Sequence, residues 1–135
     1  MTSITTSRDP SARARRFGKA LARFLSVPYV NRGKQSLDRD QTWIMVAEKD
    51  GNPSSLVKRT GDREDRLDFR ILLESSPKGL KRDRPVVTGS GDAGRIAEFF
   101  DLDCEIEPGS SRTIRAETGR LEFFDQGELA LRLAI

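Results

Sequence analysis

PVVTGSGDAGRIAEFFDLDCEIE, residues 85–107, is the stretch whose reading decides the fold. Val86 and Val87 are β-branched and favour a strand. Gly89, Gly91 and Gly94, with Ser90 and Asp92 among them, spell a turn and then a helix start. Ile96, Phe99 and Phe100 lie three and four residues apart and so share one helical face. From Asp101 to Glu107 acidic and apolar residues alternate, as in an extended segment. The run therefore reads strand, turn, helix over about 92–101, and strand.

Downstream, Arg112–Glu117, Arg120–Phe124 and Glu128–Ile135 form three short strands separated by Gly119 and Gly127, a meander. Leu129, Leu131, Leu133 and Ile135 alternate, which marks the last strand as half-buried. Upstream, Leu67, Phe69, Ile71 and Leu73 alternate in the same way and predict one strand over 67–74. Thr42–Glu48 is apolar enough to be a central strand, with Trp43 in the core. Asp50-Gly51 turns it back into Ser55–Arg59. Thr60–Arg66 reads as a charged turn and Ser75–Arg84 as a basic loop. No internal repeat stands out.

The first ten residues have no period and are expected to be loose. Asp9-Pro10-Ser11 then opens a helix, in which Phe17, Leu21, Phe24 and Leu25 make one apolar stripe. Val27-Pro28 ends it. The expected class is α+β: an N-terminal amphipathic helix and a mostly antiparallel sheet of about six or seven strands, with the 92–101 helix on one face. The expected organisation is a basic arm and helix over 1–30, then one body over 31–135. Residues 1–8 and 76–84 are expected to be mobile.

Composition narrows the function. The chain has 135 residues, 36% hydrophobic and 33% charged, enough for one small core. Its net charge of +3 is uneven. Residues 1–40 hold nine basic and three acidic side chains, or +6, which leaves −3 for the rest. A basic segment on a slightly acidic body suits an anionic partner: nucleic acid, a membrane surface or an acidic protein surface. Histidine is absent, which removes histidine bases, Ser-His and Cys-His nucleophile pairs and most zinc sites. Cys104 is the only cysteine, so no intrachain disulfide forms and a reducing, cytoplasmic setting is expected. No run is long enough for a membrane span. The Ser, Thr and Arg of the N-terminus also suit an organelle transit peptide, but a flexible bacterial or phage arm is the plainer reading.

Three sets of side chains are candidates for function. The first is basic: Arg13, Arg15, Arg16, Lys19 and Arg23 on the outer face of the helix, and Lys78, Lys81, Arg82 and Arg84 in the loop. Both are expected to contact phosphates. The second is the turn Gly89-Ser90-Gly91-Asp92-Ala93-Gly94, which matches G-x-G-x-x-G before a helix, with Glu107 18 residues after Gly89. Gly89, Ser90, Gly91 and Gly94 are thus possible anion binders. Against this, only one βαβ unit surrounds the turn, and Asp92 would repel a phosphate. The third is the acidic row Asp101, Asp103, Glu105 and Glu107, a partner-facing edge, with Leu102, Cys104 and Ile106 pointing inward and Cys104 a buried thiol. The row lacks the glycine of a calcium loop, so no metal is expected, and no cofactor.

The sequence thus reads as a small non-catalytic accessory protein. It binds nucleic acid or another polyanion through the basic helix and the 78–84 loop, as plasmid, phage or chromosome-associated proteins do. The alternative is a protein-interaction module (an inhibitor, adaptor or phage or virion component) using the sheet or the acidic 101–107 face. A nucleotide-binding protein using the 89–94 turn ranks third.

Overall fold

The computed structural model describes residues 2–31, 36–75, 79–106 and 109–135. The chain divides into two compact units, Met1–Phe69 and Arg70–Ile135.

The first unit contains β1 (Thr2–Thr6), α1 (Ala12–Leu25), β2 (Thr42–Lys49), β3 (Asn52–Thr60) and β4 (Arg63–Asp68). Its four strands lie in the order β1-β2-β3-β4. β1 runs parallel to β2, and α1 makes the crossover between them. The other two pairs are antiparallel. Ser11 starts α1, its hydroxyl accepting the Ala14 amide at 3.1 Å. Phe17, Leu21, Phe24 and Leu25 are buried as the stripe predicts. Burial of such side chains stabilises by roughly 1.5–3 kcal/mol each. α1 ends at Ser26, which takes the left-handed conformation (φ 57°), and the Val27 amide reaches back to the Ala22 carbonyl. Asp50 and Gly51, at φ 55° and 78°, turn β2 into β3 as Asp-Gly predicts.

The second unit contains β5 (Arg70–Glu74), β6 (Val86–Gly89), α2 (Ala93–Phe100), β7 (Arg112–Glu117), β8 (Arg120–Asp125) and β9 (Glu128–Ala134). The strand order is β5-β9-β8-β7-β6. β6 and β7 are parallel; the rest are antiparallel. The helix and the meander stand where the sequence puts them. Ile96, Phe99 and Phe100 are buried with Ile114, Leu121, Phe123 and Leu133.

The α+β class holds, but one sheet of six or seven strands becomes nine strands in two sheets among the described residues. Three local readings change with it. Within the stretch expected to be loose, Thr2–Thr6 is a strand whose Ile4, Thr5 and Thr6 are buried. The 60–66 stretch is not all turn, since β4 starts at Arg63. The single strand over 67–74 is two, because the chain leaves one sheet after Asp68 and enters the other at Arg70. Leu67 and Phe69 stay buried, while Leu73 is 38% exposed. Alternation marked a strand but not its sheet, and in β9 the buried residues are Ala130 and Leu133, with Leu129 and Leu131 half-buried.

The units also repeat one topology, which the sequence conceals. In each, a strand leads through a helix to a parallel neighbour and then a meander. In each, the helix closes on a left-handed residue, Ser26 or Asp101. Seven residues after Ala22 and Ala97 respectively, Tyr29 bridges β1 and Cys104 bridges β6, both in parallel. No described helix is long and apolar enough to cross a membrane.

Candidate nucleic-acid interface

α1 turns its apolar stripe to the core, which leaves Arg13, Arg15, Arg16, Lys19 and Arg23 exposed. Three of them are steadied locally. An Arg13 Nη donates to the Asn52 side-chain carbonyl, and an Arg15 Nη to the Pro10 carbonyl at 3.4 Å. The Lys19 ammonium stands 5.8 Å from the centre of the Tyr29 ring. No acidic residue occurs between Ala12 and Leu25. Arg15–Lys19 and Lys19–Arg23 are therefore unrelieved like-charge pairs at i,i+4, each costing a few tenths of a kcal/mol. Arg13, Arg15 and Arg16 also sit toward the positive end of the helix dipole; only Arg23 lies at the favourable end.

A second basic feature of this unit was not singled out in the sequence. Arg8, Arg39, Arg59 and Arg63 border a cleft of about 360 Å³. Asp38, Asp62 and Glu64 share its wall, and Arg39 lies 3.8 Å from Asp62, so the charge there is mixed. These arginines come from separate stretches, and the β1-β2-β3-β4 pairing gathers them.

The 79–84 loop belongs to the second unit and is held down. The Arg112 guanidinium is 1% exposed. It donates to the carbonyls of Lys81 and Asp83, both at 2.7 Å, and to the Asp125 carboxylate at 3.2 Å. An Arg84 Nη donates to the Asp101 carbonyl. Of the 76–84 stretch expected to be mobile, 76–78 lie outside the described residues and 79–84 is instead a fastened loop, because a buried guanidinium must find acceptors. Lys78 lies outside the described residues.

The glycine turn serves the packing of β6. Gly89, at φ 117°, lies so close to β7 that a Cβ would fall 2.0 Å from the Ala116 oxygen. The Ser90 amide bonds that same oxygen at 3.1 Å, and its hydroxyl donates to Glu117 at 3.2 Å. Arg115 also donates to Glu117, at 2.9 Å. These bonds, the Arg115 one first, hold the Glu117 carboxyl below the usual glutamate range. A carboxylate thus stands beside Ser90. Gly91 is also left-handed, at φ 65°, and Gly94 faces open space.

The acidic row is partly as expected. Asp101, Asp103 and Glu105 are exposed, but so are Cys104 and Ile106, the latter at 96%. The segment meets β6 at the Val87–Cys104 bridge and through the Thr88 hydroxyl, which donates to the Ile106 carbonyl at 3.4 Å. The buried thiol and the inward Ile106 are therefore corrected, while Leu102 is half-buried. Glu107 lies outside the described residues.

No family model matches the chain. A probable Brix domain-containing ribosomal biogenesis protein from Methanothermobacter thermautotrophicus is 38% identical over 117 residues, 81% of this chain and 74% of that relative. The chain belongs to the Brix-domain ribosomal biogenesis family. A second Brix-domain relative so described, from Archaeoglobus fulgidus, is 37% identical over 95 residues, 62% of this chain. The match spans 61% of that relative, less than two thirds of its length. The crystal structure of Mil, an archaeal Imp4-like protein, is 26% identical and superposes with a TM-score of 0.78 over 100% of this Brix-domain chain and 96% of its own. These likenesses overturn the reading of an accessory protein of a plasmid or phage, and with it the inhibitor, adaptor or virion component.

Proposed function

We propose that this Brix-domain protein is a non-enzymatic, cytoplasmic factor in ribosome biogenesis that holds ribosomal RNA against the exposed face of α1. The relatives' descriptions supply the process. The surface is supported by one observation: five cations on one helix with no acid among them, three at the end where the dipole disfavours them. A helix selected for stability alone would carry acids there. An anionic partner turns that cost into affinity.

The test is RNA affinity as a function of salt. Replacing Arg15, Arg16, Lys19 and Arg23 by glutamine removes four charges. The slope of log affinity against log salt should then fall by about 3, at roughly 0.7 per single-strand phosphate contact, with the melting temperature kept or raised. An unchanged slope overturns the surface.

A further inference from the structure

We propose that the open edge of the second sheet, at Asp103–Ile106, accepts a basic, extended peptide of a partner protein as an added strand. Val87 donates its amide to the Asp103 carbonyl and accepts the Glu105 amide, both at 2.8 Å. In that geometry the amide and carbonyl of Cys104 point away from β6, and neither has a partner among the described residues. Unpaired main-chain groups on a strand edge are a template for another strand.

The charge identifies the occupant. One edge of the first sheet, β4, carries both signs, and β3 faces it with opposite charges: Lys58 opposite Asp65, Arg59 opposite Glu64. That edge is neutralised and blocked. The edge at Cys104 carries one sign only. The Asp103 and Glu105 carboxylates are exposed and have no ion-pair partner among the described residues. A second copy presenting the same edge would meet like charge, and RNA would be repelled; a lysine- or arginine-rich strand would not. Ile106, 96% exposed, borders a groove of about 420 Å³ with Thr88, Ser90, Arg115 and Glu117.

The probe is a fluorescent synthetic peptide alternating arginine with valine, titrated by anisotropy. Cys104→Pro removes the outward amide, and the two Val87 bonds use the Asp103 carbonyl and the Glu105 amide, neither of which it replaces. It should weaken binding about fivefold or more without lowering the melting temperature, the share of one net hydrogen bond. Asp103→Lys with Glu105→Lys should weaken it about tenfold or more. The same peptide N-methylated at alternate residues should lose binding to the unaltered protein, which keeps the test independent of any variant's folding. Binding that survives both proline and N-methylation, or that is absent at about 0.1 mM peptide, overturns the proposal. So does self-association through this edge. RNA affinity through α1 is measured on the same samples and is expected to be unchanged, so the two readings fail separately.

Discussion

The Arg112 guanidinium donates to the main-chain carbonyl of Lys81 at 2.7 Å, although 31 positions separate them. One buried cation thus fastens a loop that its own composition describes as solvated. Asp125, its cross-strand partner, neutralises it, and the Asp83 carbonyl completes the set. Removing the cation leaves a carboxylate and two carbonyls without their donor.

Arg112→Met is therefore expected to destabilise by about 3 kcal/mol or more, read by urea denaturation. Trypsin should cut after Lys81 or Arg82 faster than in the parent. Arg112→Lys should recover little, since one ammonium cannot reproduce the planar fork. Unchanged stability and cleavage would mean that the loop is held by other contacts.

Gly89 and Gly94 should respond in opposite directions. At Gly89 alanine must place a Cβ 2.0 Å from the Ala116 oxygen at φ 117°. Gly89→Ala should cost about 3 kcal/mol or prevent folding. Gly94 is helical with nothing within 4 Å of a Cβ, so Gly94→Ala should stabilise by about 0.5–1 kcal/mol. Thermal melts of the two variants decide it.

Ser11 caps α1 and also ties it to β2, its amide and hydroxyl both bonding the Glu48 carboxylate, at 3.0 and 2.5 Å. Ser11→Ala should cost about 1–2 kcal/mol, the upper part of the range for a lost cap. Ser11→Asp keeps a cap acceptor but sets a second carboxylate against Glu48, and should not restore the parent.

Glu117 provides a pH signature. Its folded-state pKa lies below the unfolded value, chiefly through the Arg115 hydrogen bond and then that of Ser90. Its contribution is whole above the ordinary glutamate range and fades as pH falls through the depressed value. Glu117→Gln should flatten the acid limb of the stability profile and leave the pH dependence near neutrality unchanged. Denaturant midpoints across the acid range test this; an acid limb as steep as the parent's contradicts it.

Much of the local structure was legible. The i, i+4, i+7, i+8 stripe from Phe17 to Leu25 set α1 and, by exclusion, its five outward cations. Asp50-Gly51 marked one hairpin, and the alternation of Leu129 to Leu133 marked the last strand. These are signals with a period or a turn chemistry confined to a few neighbours. Arg8, Arg39, Arg59 and Arg63 had no such signal, because their meeting depends on strands that pair at a distance.

By itself, then, the sequence determined which residues form helices, which faces they bury, and where charge accumulates, since each depends on side chains within a turn or two. Only the tertiary structure decided that Phe69 separates two sheets, that Thr2–Thr6 is a strand, and that Arg112 binds the 79–84 loop. It also decided the opening stretch. Val86–Gly89 form a strand because β7 pairs with them, and Gly89 is required by the Ala116 carbonyl rather than by a phosphate. The physical reason is that main-chain pairing and buried charge are satisfied by whichever partner the fold brings near, and a local pattern does not name that partner.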